Sequence, residues 1–131
     1  MEKSVLIVDD SAPIRRSLRA FVESRPGFKI CGEAIDGLEA LEKARELKPD
    51  LIVLDFSMPR MNGLEAAAVL HFILPSAPII LFTLHKDEVS SRQARDAGIS
   101  AILSKTEQLS LLFKEMQRLA NSPAPIRPNS S

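Results

Sequence analysis

Short runs of apolar, β-favouring residues alternate with longer amphipathic stretches along most of the chain, and this alternation limits the possible folds more than any other feature. The runs lie at 4–8, 28–34, 51–54, 79–82 and 101–103. A stretch with apolar residues at helical spacing follows each run, so the sequence predicts five strands and five helices in strict alternation. Such a pattern is typical of a parallel sheet with helices on both faces, and right-handed crossovers make it a doubly wound α/β sheet.

Local signals place the ends of several helices. Ser11 and Asp36 stand just before two amphipathic stretches and are good N-caps for them. Lys86–Ala97 is predicted to be one polar helix, which Gly98 ends as a normal C′ residue. The other two helices are predicted over 64–72 and around 109–119.

Length and composition narrow the class of protein. A chain of 131 residues can form one domain with a real core, and its formal net charge of zero gives no reason to expect nucleic acid or an anionic membrane as a partner. The single Cys31 cannot form an internal disulfide, and no Cys/His cluster has zinc spacing.

The chain has no start like a signal peptide and no apolar run that could span a bilayer, so a cytoplasmic location is predicted. We expect a domain at 1–120 and a Pro/Ser-rich tail, or the start of a linker, at 121–131.

Polar side chains stand where the apolar runs end. Asp9 and Asp10 end the first run, Asp55 ends the third, Thr83 ends the fourth, and Lys105 follows the fifth. In open α/β sheets the functional crevice lies beyond the carboxyl ends of the strands, so these side chains are expected on one rim. The alternative is that they are only caps and solvated strand ends.

The chemistry of this set points to phosphoryl transfer. Carboxylates that lie close together repel one another, and a hard divalent cation such as Mg²⁺ relieves that repulsion. An ammonium group beside them suits either an internal ion pair or a bound phosphoryl group. Asp55 stands alone at the end of the expected central strand, and an aspartate can itself accept phosphate, so Asp55 is the predicted nucleophile. No Gly-rich Walker or Rossmann loop follows any strand, which argues against a nucleotide site.

Four segments together resemble the receiver domain of bacterial two-component response regulators, over residues 3 to about 120. They are VLIVDD at 5–10, LIVLDFSMPRMNG at 51–63, IILFT at 79–83 and AGISAILSK at 97–105. The resemblance implies a flavodoxin-like (CheY-like) fold with strand order 2-1-3-4-5. It also implies a phosphoacceptor that takes phosphate from a sensor histidine kinase or phosphotransfer protein, and that catalyses only its own phosphorylation and dephosphorylation.

The resemblance assigns a role to each residue that matches the family pattern. Asp55 would be the phosphoacceptor. Asp10 would bind Mg²⁺ directly and Asp9 mainly through water, with Asp55 and the backbone carbonyl of Ser57 completing the protein's ligands. Lys105 would pair with the Asp55 carboxylate and then with the phosphoryl oxygens.

The expected output is a switch on the face formed by helix 4, strand 5 and helix 5. Thr83 would be the switch hydroxyl, drawn toward the phosphoryl group. Ile102 stands where the family usually has an aromatic residue coupled to that threonine. The alternative is therefore a pseudo-receiver, a protein-interaction module with weak or no phosphate-dependent switching. A homodimer through helices 4 and 5 is a further expectation, and DNA would be a partner only if a helix-turn-helix domain followed in a longer protein.

Overall fold

One parallel sheet forms the centre of the molecule, and its strands follow the predicted apolar runs. The computed structural model describes residues 2–121. The strands are β1 (Lys3–Val8), β2 (Phe28–Ala34), β3 (Leu51–Leu54), β4 (Ile79–Thr83) and β5 (Ala101–Ser104). Their order in the sheet is β2-β1-β3-β4-β5, with every neighbouring pair parallel, which confirms the predicted doubly wound topology.

The helices pack on both faces of this sheet, as the alternation predicts. They are α1 (Ala12–Glu23), α2 (Gly37–Leu47), α3 (Gly63–Ile73), α4 (Ser91–Asp96) and α5 (Leu109–Asn121). Successive side chains of β1 point to opposite faces, so that Leu6 and Val8 pack with α2 and α3, whereas Val5 and Ile7 pack with α1 and α5. Both faces of the central strands are therefore covered by apolar side chains.

The predicted N-caps are confirmed. The hydroxyl oxygen of Ser11 accepts a hydrogen bond from the N–H of Ile14 at 3.3 Å, and a carboxylate oxygen of Asp36 accepts one from the N–H of Glu39 at 2.9 Å. Each satisfies a backbone donor that has no partner within its own helix.

The prediction of one helix over Lys86–Ala97 is wrong. A short 3₁₀ turn covers Lys86–Glu88, and α4 starts only at Ser91. Ser90 caps α4 through its hydroxyl, while the side chain of Gln93 accepts a hydrogen bond from the N–H of Ser90, so the two residues form a capping box that begins a new helix. Between the 3₁₀ turn and α4, the backbone of Val89 is extended and its side chain is buried.

Within residues 2–121, no helix has both the length and the apolar character needed to cross a membrane. Of the predicted tail at 121–131, Asn121 is the last residue of α5 and the rest lies outside the described residues, so the domain boundary at residue 120 stays a prediction.

Candidate functional site

The carboxylates of Asp9, Asp10 and Asp55 meet beyond the carboxyl ends of β1 and β3. Each of them offers an oxygen atom that lies within 4.8 Å of the other two. The sheet register explains the meeting, because Val8 pairs with Leu54 and the residue after each leaves its strand at the same level. The N–H of Asp55 also donates to the carbonyl of Val8 at 2.9 Å. Asp9 and Asp55 are buried and Asp10 is exposed.

Lys105 reaches the same point from the end of β5. Its Nζ lies 2.6 Å from Oδ2 of Asp9 and 3.4 Å from Oδ2 of Asp55, and its side chain is only 9% exposed. The family resemblance implies a pairing of Lys105 with Asp55, whereas in the structure the ammonium bridges both carboxylates and lies nearer Asp9. One lysine therefore shares its charge between two buried acids.

Burial and the neighbouring Asp9 carboxylate together disfavour ionisation of Asp55. Burial raises the pKa of the Asp55 carboxyl above its ordinary value, and the nearby carboxylate of Asp9 raises it further. Lys105 and a backbone hydrogen bond from Ser57 act in the opposite direction and do not outweigh these effects. The site thus holds more negative charge than its own lysine compensates. An all-oxygen set of this kind fits a hard cation such as Mg²⁺.

Asp9 and Asp10 differ in how much of each carboxylate is already engaged. Oδ1 of Asp9 accepts a hydrogen bond from the N–H of Ser11 at 2.9 Å, and Oδ2 takes the ammonium of Lys105. The carboxylate of Asp10 has no hydrogen-bond or ion-pair partner in the part of the chain that the structure describes. Asp10 consequently offers the more available oxygens of the pair.

Arg15, on α1, hydrogen-bonds to the backbone of Asp9, and the sequence analysis missed this residue. Its guanidinium donates one hydrogen bond to the carbonyl of Asp9 at 2.7 Å and another to the carboxylate of Glu33 at 2.9 Å. Burial opposes ionisation of Glu33, but hydrogen bonds from Arg19 and Arg15 outweigh it and lower the pKa of the Glu33 carboxyl. The available signal was two arginines one helical turn apart on α1, facing the acid near the end of an edge strand.

Thr83 ends β4 and pairs with Ser104, the last residue of β5. Its side chain is fully buried, and its hydroxyl oxygen accepts a hydrogen bond from the N–H of His85 at 3.0 Å. Its carbonyl accepts one from the N–H of Lys105 at 2.9 Å, which ties Thr83 to the lysine. Four elements thus bring Thr83, Lys105 and the three acids to one rim, as the sequence predicts, whereas a role for the Ser57 carbonyl stays a prediction.

A groove of about 700 Å³ opens between the 3₁₀ turn with α4 on one side and β5 on the other. Its lining includes Val89, Ala94, Ile99 and the half-buried Ile102. The predicted output face therefore carries a concave surface, with both apolar and polar lining, at the position where the family usually has an aromatic ring.

The model of the response regulator receiver domain matches residues 5–117. The chain belongs to the response regulator receiver family. The resemblance seen in the sequence is confirmed for this receiver domain, and so is the strand order that it implied.

Several known proteins are similar to this receiver domain. The chemotaxis protein CheY of Thermotoga maritima is 36% identical over 120 residues, which cover 92% of this chain and 99% of CheY. The protein-glutamate methylesterase/protein-glutamine glutaminase of the same organism is 38% identical over 114 residues, or 86% of this chain. This chain spans only 33% of the length of that methylesterase.

The solved structures agree with the sequence relatives. The response regulator domain of Thermotoga maritima CheB has a TM-score of 0.82 and 33% identity, over 94% of this chain and 99% of that one. A two-component response regulator of the LuxR family from Aurantimonas has a TM-score of 0.85 and 27% identity, over 98% of this chain and 92% of that one.

Proposed function

We propose that this receiver domain is the phosphoacceptor of a two-component system, and that Asp55 takes the phosphoryl group from a phosphohistidine of a sensor histidine kinase or phosphotransfer protein. The observation that carries the proposal is the convergence of Asp55 with two further carboxylates and the ammonium of Lys105 at the carboxyl ends of the strands. CheY, which is covered almost completely by this chain, is a chemotaxis protein and supports a signalling role.

The transfer needs a nucleophilic oxygen and a way to neutralise charge. An oxygen of the Asp55 carboxylate bonds to phosphorus while the bond from phosphorus to the imidazole nitrogen of the donor breaks, and that nitrogen keeps the electron pair and takes up a proton. Lys105 lies close enough to Asp55 to contact the transferred phosphoryl oxygens. Attack of water on phosphorus later returns the carboxylate and releases inorganic phosphate. The domain acts only on its own phosphorylation state.

Asp10, Asp55 and the backbone carbonyl of Ser57 would hold Mg²⁺, with Asp9 contributing mainly through water. The engagement of both Asp9 oxygens by Ser11 and Lys105 supports this division. When bound, Mg²⁺ would neutralise negative charge on the carboxylates and on the phosphoryl group. The raised pKa of Asp55 supports this, because a bound cation would favour the ionised carboxylate.

Incubation with acetyl phosphate tests the proposal on the protein alone. In the presence of Mg²⁺ we expect the intact mass to increase by one phosphoryl group, and the adduct to survive acid and disappear in mild base, as an acyl phosphate does. Chelation of Mg²⁺ is expected to slow formation of the adduct by about a hundredfold or more, since a bound metal ion can supply several kcal/mol of charge stabilisation. Absence of any adduct with Mg²⁺ present would contradict the proposed function.

Phosphorylation is proposed to switch the face formed by α4, β5 and α5. It adds a charge of about −1.5 to −2 next to Thr83. A Thr83 hydroxyl drawn toward that charge would give up or lengthen its hydrogen bond from the N–H of His85. That movement would reach the groove through β5, whose Ser104 pairs with Thr83 and whose Ile102 lines the groove.

Beryllofluoride, which mimics the phosphoryl group on an aspartate, tests the switch. We expect large changes in the amide NMR shifts of His85 and Ile102 when beryllofluoride and Mg²⁺ are added together, and no such changes in Asp55→Asn. Unchanged shifts at both residues, in a protein that still forms the acetyl phosphate adduct, would favour the pseudo-receiver. The substitution of an aromatic residue by Ile102 is the observation that motivates this second candidate.

The remaining parts of the proposal concern location and partners. A cytoplasmic domain would meet the kinase through the rim around Asp55, and α4 and α5 would form the homodimer contact. DNA would be bound only through a helix-turn-helix domain in a longer protein.

A further inference from the structure

The loop between β3 and α3 carries an unusual backbone turn. The N–H of Met61 donates to the carbonyl of Pro59 at 2.8 Å, which closes a three-residue turn centred on Arg60. Arg60 has a φ of 70°, in the left-handed region that non-glycine residues seldom adopt. Three-residue turns with positive φ are rare and strained, and such strain persists only where the surroundings impose it.

The far end of this loop packs closely against the backbone of Asp55 and Phe56. The N–H of Gly63, at its far end, donates to the carbonyl of Phe56 at 2.7 Å. A Cβ on Gly63 would lie 2.5 Å from the carbonyl oxygen of Asp55 and 2.7 Å from Cα of Phe56. The backbone N–H of Ser57, near the start of the loop, faces the Asp55 carboxylate and acts to lower its pKa. A shift of the loop would therefore move groups that touch Asp55.

A buried carboxylate outside the acidic cluster holds Arg60 in place. Oδ2 of Asp36 accepts from Nη2 of Arg60, while Oδ1 of Asp36 caps α2. Asp36 is only 1% exposed, whereas the side chain of Arg60 is 64% exposed. The hydrogen bond from Arg60 lowers the pKa of the Asp36 carboxyl, so Asp36 is ionised at neutral pH.

Close packing accompanies the ion pair. A Cβ on Gly37, the first residue of α2, would lie 2.8 Å from Cβ of Met61. The start of α2 thus contacts the loop at Met61 and pairs with it at Arg60. Neither Asp36 nor Arg60 belongs to the site that would hold the metal and the phosphoryl group.

We propose that the ion pair of Asp36 with Arg60 positions the loop of residues 56–62 against α2 and thereby sets the rate at which Asp55 is phosphorylated. This inference rests on the proposed function. Asp36 and Arg60 are positioning residues, and they act through the backbone of Ser57 and the loop closure at Gly63. Without the pair, the loop loses its ionic contact to α2 and opens more often.

Two substitutions separate the ion pair from its side effects. Asp36→Asn keeps an oxygen that caps α2, because Asn caps about as well as Asp, but it places an NH₂ group where Arg60 needs an acceptor. Arg60→Gly removes the guanidinium and suits a φ of 70°, so it relieves the strain and is expected to fold. Arg60→Lys keeps the charge and serves as the conservative variant.

Each of Asp36→Asn and Arg60→Gly is expected to slow phosphorylation by acetyl phosphate by about tenfold, the usual scale for residues that orient a metal or catalytic ligand. Amide hydrogen exchange at Met61 and Gly63 is expected to become faster, with the core strands unchanged. Since the chain has no Trp or Tyr, Mg²⁺ affinity is measured by calorimetry, and it is expected to weaken in both variants. The double variant is expected to be no slower than the slower single one, because both changes remove the same contact. Arg60→Lys is expected to recover part of the rate.

Arg118→Ala is the matched control, because it removes a surface arginine that pairs with Glu115 on α5, and it is expected to label at the wild-type rate. Wild-type rates in Asp36→Asn and Arg60→Gly, or slower rates without faster exchange at Met61 and Gly63, would overturn the positioning role. A wild-type protein that forms no adduct would instead overturn the proposed function, so the two failures are distinguishable.

Discussion

Replacing Asp55 by Asn is expected to abolish the base-labile phosphoryl adduct completely. The amide of Asn has no anionic oxygen to attack phosphorus, and the nearby carboxylate of Asp9 is engaged by Lys105. Intact mass after incubation with acetyl phosphate and Mg²⁺ measures the loss. Asp87→Asn is the control, since it changes the net charge equally at an exposed residue of the 3₁₀ turn and is expected to label as the wild type does.

The same variant is expected to be more stable than the wild type in Mg²⁺-free buffer, by about 1 kcal/mol in the free energy of unfolding. Burial and the Asp9 carboxylate raise the folded-state pKa of Asp55 above its unfolded value, so the ionised group destabilises the fold at neutral pH. As the pH falls through the folded-state pKa, wild-type Asp55 takes up a proton and the advantage of Asn disappears. Urea unfolding followed by far-UV circular dichroism at several pH values measures this.

For the phosphorylation experiment, an adduct on Asp55→Asn as strong as on the wild type would contradict the assignment of Asp55 as the phosphoacceptor.

Replacing Lys105 by Met is expected to lower the free energy of unfolding by about 3 to 5 kcal/mol at pH 7.5 without Mg²⁺, which is the usual cost of leaving a buried charge without its partner. The ammonium of Lys105 lies 2.6 Å from Asp9 and 3.4 Å from Asp55, and its side chain is 9% exposed. Methionine fills a similar volume, so the loss reports on charge rather than on a cavity. The phosphorylation rate is expected to fall as well, because the contact to the phosphoryl oxygens is gone.

Two conditions should raise the free energy of unfolding of the Lys105→Met variant itself. Without the lysine, the opposing influence on the Asp55 pKa is removed, so that pKa rises further and protonation at lower pH relieves the repulsion. A Mg²⁺ concentration of about a hundred times its Kd would add about 2.7 kcal/mol through binding to the folded state.

Lys86→Met is the matched control for Lys105→Met. The ammonium of Lys86 lies 3.8 Å from Glu107, but its side chain is 47% exposed, so its removal is expected to change stability by less than about 1 kcal/mol. Equal losses in Lys86→Met and Lys105→Met would show that the buried position of Lys105 has no special energetic role.

The architecture was predictable because its signals are local. A continuous apolar run such as 51–54 predicts a strand covered on both faces, and the carboxylate that follows it must lie at the strand's end. Ser11 and Asp36 are caps for reasons contained within four residues of sequence. The prediction of a single helix at Lys86–Ala97 was wrong. The capping box at Ser90 starts a new helix there, and burial of the Val89 side chain favours the break before it.

The partners of the charged residues were not predictable in the same way. Lys105 was expected beside Asp55, yet it lies nearer Asp9, and a difference below 1 Å between the two distances depends on how β5 packs against the rest of the sheet. Arg15 supports Asp9 from α1, although its sequence position suggests only an exposed helical residue. Asp36 pairs with Arg60, which lies 24 residues further along the chain. The turn at Arg60 has a positive φ, but no glycine at that position indicates it in the sequence.

The sequence by itself therefore determined the alternation of strands and helices, and it determined which polar residues stand at the carboxyl ends of the strands. Periodicity and capping involve residues only a few positions apart, so the order of the residues is enough to predict them. Only the tertiary structure decided which acid holds Lys105, that α1 supports Asp9, and that Asp36 and Arg60 hold the loop beside Asp55. Ion pairs depend on distances of a few ångströms between distant segments, and those distances exist only once the sheet and its helices have packed.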